Sequence, residues 1–225
     1  MHIEPGIVHG AKMMLSLATA AGGAVVAGKL AFDTVRQDGV SALLSRSVIA
    51  TAAVFCFFQV LPHYPVGVSE VHFILGSTLF LILGGGPAAI GLAAGLLLQG
   101  LFFAPADLPM YAVNVTTLLV PLWAVSVIAK RIIAPNTAYV DLTYRQALVL
   151  STTYQGGIVA WVAFWAFYGQ GFGAANLESV ASFGGAYMLV VLAEPLVDLA
   201  VLAGAKMGAG VLGSALVSRR VYQAA

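Results

Sequence analysis

The chain opens Met1-His2-Ile3, which places an α-amine, a backbone amide nitrogen and an imidazole within one two-residue chelate. A free amine, an amide that ionises on coordination and a histidine ring can close fused chelate rings around a single small ion. Nitrogen-only planar sets favour Ni(II) or Cu(II), with Co(II) also accommodated. The same residues, Met1 to Gly6, are an ordinary frayed terminus unless something converges on them. A fourth nitrogen could come from His72, which closes the stretch Gly67-Val68-Ser69-Glu70-Val71-His72; His63 and His9 compete for that place. Taken alone, a loop histidine is more often a solvated or capping residue than a ligand.

The elements that must position these groups are set by composition. Of 225 residues, 60% are hydrophobic and only 8% charged, which requires lipid as solvent and excludes a soluble domain. A net charge of +1, with no basic cluster longer than two residues, excludes nucleic-acid binding. Cys56, the single cysteine, excludes an intrachain disulfide and a paired-cysteine zinc site, and its apolar neighbours predict a buried, inert thiol. Charge-poor stretches, set against the roughly 20 residues that cross a bilayer, predict spans near 11–31, 44–62, 71–86, 87–104, 110–129, 147–168 and 183–204. The expected fold is an all-α bundle of about seven transmembrane helices forming one integral membrane domain over 1–225. The uncharged run Phe73 to Ala104 is too long for one crossing, and Gly84-Gly85-Gly86-Pro87 should turn it back. The third helix then comes out short, tolerable if its outer end is buried among other helices.

Placing the amino terminus outside puts nine of ten basic residues on the cytoplasmic side and leaves only Lys12 at the outer face. The positive-inside rule therefore predicts an extracytoplasmic amino terminus and a cytoplasmic carboxy terminus. All four histidines then gather at the outer face. A rival reading takes Lys12 and Met13 to Ala27 as a signal peptide, but a weakly hydrophobic stretch preceded by Glu4 and one lysine favours an uncleaved first helix.

Within the spans, Glu194 and Asp198 lie four residues apart and share a face if Pro195 does not distort the helix. Intramembrane carboxylates are functional candidates by default; a structural or partner-docking role is favoured here over a cation path. Small-residue runs such as Ala20 to Ala24, Gly91 to Gly95 and Ala203 to Ala205 report close helix packing. Trp161, Trp165 and Tyr168 read as interfacial anchors. The run Gly23 to Lys29 imitates a phosphate loop, but Leu30 replaces the Ser/Thr that would hold Mg²⁺ and the run lies inside a span. With no metalloprotease motif and no nucleophile elbow either, the chain reads as a non-enzyme whose ATP hydrolysis, if any drives it, belongs to another chain.

Met1-His2-Ile3 with Gly6, the stretch Gly67 to His72, and Gln99-Gly100-Leu101-Phe102-Phe103-Ala104 followed by Ala112-Val113-Asn114 resemble the CbiM/NikM family, the cobalt/nickel capture components of energy-coupling-factor ABC transporters. The resemblance covers the chain through about residue 130; beyond that it lies mainly in hydropathy. One more residue separates Gly67 from His72 than the family's Gly-x-Ser-x-His spacing. The resemblance implies that the terminus folds inward and ligates one Ni(II) or Co(II) through the Met1 amine, the His2 amide and ring, and His72, with His9 as a second-tier ligand. It implies that Asn114, Ser69 and Glu70 orient the ligands; an Asn114 that merely caps its helix is the alternative. The expected function is capture of nickel or cobalt outside a bacterial or archaeal inner membrane for ATP-driven import. A transmembrane coupling subunit, ATPase subunits and possibly a small accessory membrane subunit are the implied partners, with the 32–46 and 130–146 loops as contacts. A membrane-embedded haem or copper redox protein and a vitamin-capture component are the alternatives.

Overall fold

The computed structural model describes residues 3–135, 137–207 and 221. Among these described residues seven α-helices run in chain order: α1 (Met13–Asp38), α2 (Val40–Phe55), α3 (Gly76–Leu83), α4 (Gly85–Phe102), α5 (Tyr111–Ile132), α6 (Tyr144–Gln170) and α7 (Ala174–Met207). Six are long and apolar enough to cross a bilayer. The exception is α3, which at eight residues rises only about 12 Å.

The connections follow from local chemistry. At Gly84 the backbone takes φ +97°, which the absence of a Cβ permits, and α4 begins at the next residue with Pro87 in its first turn. Thr143 caps α6: its hydroxyl accepts from the Gln146 amide at 3.2 Å, while the Gln146 side chain accepts from the Thr143 amide at 2.9 Å. Helix α7 continues through Pro195.

The third span departs from expectation. Instead of a helix over 71–86, an antiparallel hairpin of β1 (Tyr64–Val66) and β2 (Ser69–Val71) enters the bundle, and non-helical backbone carries the chain from His72 to α3. His72 therefore lies four residues before that helix and does not begin it. As expected of so short a helix, its first residues Gly76 and Ser77 are buried in protein, the condition under which non-helical backbone survives next to it.

Helices α4 and α5 form the centre: 67% of the apolar stretch ending in α5 is buried, against 6% of that in α1, which faces outward. In α4 the small residues expected to permit close approach do so, since a Cβ at Gly91 would stand 2.3 Å from the Ala50 side chain and one at Gly95 would stand 2.6 Å from Val54. Two expectations are corrected. Cys56 is exposed, because in the wider helical turn Cys56–Val60 that continues α2 it shares an outward face with Ala52 and Val60. Trp165 is fully buried beside Trp161, and both indoles donate to the Thr116 hydroxyl, at 3.3 and 3.1 Å, so Trp165 is a core residue and no interfacial anchor.

Candidate metal-capture site

Met1 and His2 lie outside the described residues, so the site is built from what surrounds the point where the chain enters it. Ile3 is fully buried. It forms an antiparallel bridge with Ser69, and the Glu4 amide donates to the Val68 carbonyl at 3.2 Å, which adds the amino-terminal segment to the hairpin as a further short strand. The remaining amide of this edge, that of Ile3, donates to Asn114 Oδ1 at 2.8 Å. Asn114 is 1% exposed in the first turn of α5, and this bond is its observed role in place of a helix cap. A buried side-chain amide is costly unless bonded; here it accepts from a backbone group that would otherwise be orphaned.

Two glycines allow this segment and the hairpin to seat. Gly67, at the tip of the hairpin with φ +60°, packs so closely on α7 that a Cβ would stand 2.0 Å from the Ser179 carbonyl oxygen. A Cβ at Gly169 of α6 would stand 2.1 Å from the carbonyl oxygen of Ile7. Lys12 then fastens the segment's far end by donating to the Gly169 carbonyl at 2.7 Å.

His72 is 2% exposed. Its Nδ1 lies 3.1 Å from the Phe73 carbonyl oxygen, and its ring stands edge-on to Phe58 with centroids 4.6 Å apart. In the tautomer that donates from Nδ1 to that carbonyl, Nε2 carries the lone pair, the form in which a histidine ligates a metal. Ser69 is fully buried at the bridge to Ile3. Glu70 pairs with Pro65 in the hairpin and is half-buried, with Oε2 unpartnered. The other two histidines stand apart in character: His9 is exposed ahead of the short turn Gly10–Lys12, and half-buried His63 places Nδ1 3.1 Å from the Leu61 carbonyl. Among the described residues no three His, Cys, Asp or Glu side chains gather in a metal-binding group.

The intramembrane carboxylates both face the segment that follows His72. Fully buried Glu194 accepts from the amides of Ile74 and Leu75, the latter at 3.0 Å, and from Gln155 Nε2. Asp198 accepts from the hydroxyls of Ser77, at 2.5 Å, and Thr78. Local pattern gave no sign of the partners in 74–78, which lie about 120 residues away in sequence. A polar residue inside an otherwise apolar span, Gln155, was the one available signal on α6.

The space near Asn114 is small: a cavity lined by Leu96, Gly100, Asp107, Leu108, Tyr111 and Asn114 holds about 10 Å³. A far larger one of about 300 Å³ opens at the opposite end of the bundle, between α1, α2, the end of α3, the end of α5 and the loop that precedes α6.

A family model described as the cobalt uptake substrate-specific transmembrane region matches residues 2–206. No curated protein and no solved structure matches the chain.

Proposed function

We propose that this chain, which belongs to the CbiM family of cobalt uptake substrate-specific transmembrane proteins, captures a single Co(II) or Ni(II) ion with nitrogens of its own amino terminus and His72. Membership makes it a multi-pass cell-membrane component of cobalt uptake and no catalyst. The observation that carries the finer reading is the seating of Ile3. Its amide is held by Asn114 and its backbone is bridged to Ser69, so the chain enters beside the strand that ends one residue before His72.

In this reading the Met1 amine, the His2 amide and ring and His72 Nε2 form the four-nitrogen set, with Asn114 fixing the approach. Ser69 acts through its bridge, and Glu70 adds negative charge beside a cationic cargo. His9, exposed at the surface, is a poorer candidate ligand.

The amino-terminal end faces outside by the positive-inside argument, since Lys29, Arg36, Arg46, Lys130, Arg131, Arg145 and Lys206 belong to the other end. The two loops named from sequence as partner contacts both contribute to the large cavity there, through Asp33, Asp38 and Arg46 on one side and Lys130, Thr137 and Tyr139 on the other. A membrane coupling subunit carrying ATPases would engage this end and drive inward release.

Equilibrium titration of the detergent-purified protein with Co(II) and Ni(II) tests the ligand assignment. Binding at one ion per chain is expected, with a loss of well over tenfold in His72→Ala; undiminished binding in that variant removes His72 from the set.

A further inference from the structure

We propose that Glu194 is a positioning residue for His72: its carboxylate holds the two backbone amides that fix the path of the chain immediately after the histidine. This rests on the capture reading for its consequence, and on geometry for its mechanism.

Between Val71, the last residue of the hairpin ladder, and Gly76, the first of α3, the backbone has neither strand nor helix to supply its hydrogen bonds. The segment is nonetheless deep in protein, with His72 and Ile74 buried. Orphaned amides in such a place demand a partner. Glu194 supplies both, one oxygen to each: Oε1 accepts from Ile74 and Oε2 from Leu75. Leu75 needs it most, because it adopts φ +53°, the left-handed region that a leucine avoids, and a surrounding contact must hold it there.

The carboxylate is itself held. Gln155 Nε2 donates to Oε2, and the Gln155 carbonyl oxygen accepts from the Tyr187 hydroxyl at 2.8 Å, so the orientation of that amide is set by a second residue of α7. Beneath the loop, Gly76 lies flat on the Tyr154 ring, where a Cβ would stand 2.1 Å from the ring carbon bearing the hydroxyl. The hairpin fixes His72 from one side and Glu194 fixes it from the other. Asp198 has a different task, because it takes the hydroxyls of Ser77 and Thr78, on α3 itself, with Ser151 of α6 beside it, and no backbone amide of the His72 loop among the described residues. Two carboxylates one helical turn apart thus divide the segment: Glu194 holds the histidine loop and Asp198 holds the helix.

Glutamine at position 194 keeps the size but presents an NH₂ where an oxygen now accepts, so at least one donor loses its partner. The test compares Glu194→Gln with Asp198→Asn in three readouts: Co(II) or Ni(II) affinity, the ligand-field spectrum at saturating metal, and hydrogen exchange of the Ile74 and Leu75 amides without metal. E194Q is expected to exchange faster at one or both amides, bind about 10–100-fold more weakly, and shift its spectrum toward that of His72→Ala. D198N is expected to lower thermal stability while keeping the wild-type spectrum. An E194Q protein with wild-type affinity and spectrum overturns the proposal, as does an equal spectral change in both variants. Should wild type bind no metal, the capture reading falls by itself, and unchanged exchange in E194Q would then overturn the clamp separately. If E194Q does not fold, Gln155→Ala, which keeps the carboxylate and removes the side chain that orients it, is expected to move affinity and spectrum in the same direction by less; no movement overturns the proposal.

Discussion

At the amino-terminal end of the bundle, backbone amides that no helix or strand serves are taken up by side chains from distant helices: Ile3 by Asn114, and Ile74 and Leu75 by Glu194. At the opposite end, Arg46 is 2% exposed and paired with Asp38 at 2.5 Å, yet its Nε has no partner and it lines a half-open cavity of about 300 Å³. At the first end a space of about 10 Å³ lies beside Asn114. The second keeps polar groups in reserve and room for something larger. In the proposed capture function a small ion needs ligands held in place before it arrives, which the bonded end would supply, and the open end would be the one to receive a partner subunit. The eight residues of α3 join the two, since its start follows the His72 loop and Phe80, Leu81 and Gly84 at its far end line the cavity.

The comparison breaks most readily at Gly169. Alanine there meets the Ile7 carbonyl oxygen at 2.1 Å, so the amino-terminal segment must lift from α6. A destabilisation of about 1–3 kcal/mol is expected from overpacking, together with loss of tight metal binding, read by thermal melting and metal titration of the same preparation. Wild-type binding in Gly169→Ala would show that the segment's seat on α6 is irrelevant to capture.

Asn114→Leu should do less. It removes the acceptor for the Ile3 amide without disturbing Ser69 or Lys12, and a loss of about 10–100-fold in affinity is expected. Asn114→Asp keeps an acceptor oxygen at that place and should restore most of it. Equal losses in the two variants would assign Asn114 to packing alone.

The smallest effect belongs to the open end. Lys130 is exposed at the cavity, and Lys130→Glu should leave metal affinity of the purified protein within about twofold of wild type, since it lies more than four turns, about 24 Å, from Asn114 along α5. Metal accumulation in cells carrying the partner subunits should nevertheless fall. Reduced affinity in the isolated protein would mean that the two ends are not separate in function.

Much of the fold is legible from charge and glycine placement alone. The break at Gly84 to Pro87 and the six long apolar stretches depend only on local composition, and they fall near their expected places. Residues 71–75 misled for a physical reason: Val71-His72-Phe73-Ile74-Leu75 is a short apolar run, and such runs do not distinguish buried strand from buried helix. Their irregular path has Glu194, 120 residues away, accepting from the Ile74 amide, and no local pattern reports that. Trp165 failed in the same way, since an indole near the end of a span looks like an interfacial anchor until Thr116 on another helix is found bonded to it. Asn114 was legible because a buried amide always needs a partner; that the partner is the third residue of the chain was not.

The most direct test of capture by the amino terminus is a Ni(II) and Co(II) titration of the purified protein with its native terminus, beside a form lengthened by a single glycine before Met1. The extension keeps every helix and His72, but moves the α-amine out of the two-residue chelate. Stoichiometric binding by the native form and a collapse of affinity in the extended one are the predicted results. Equal affinity in both would contradict ligation by the terminal amine.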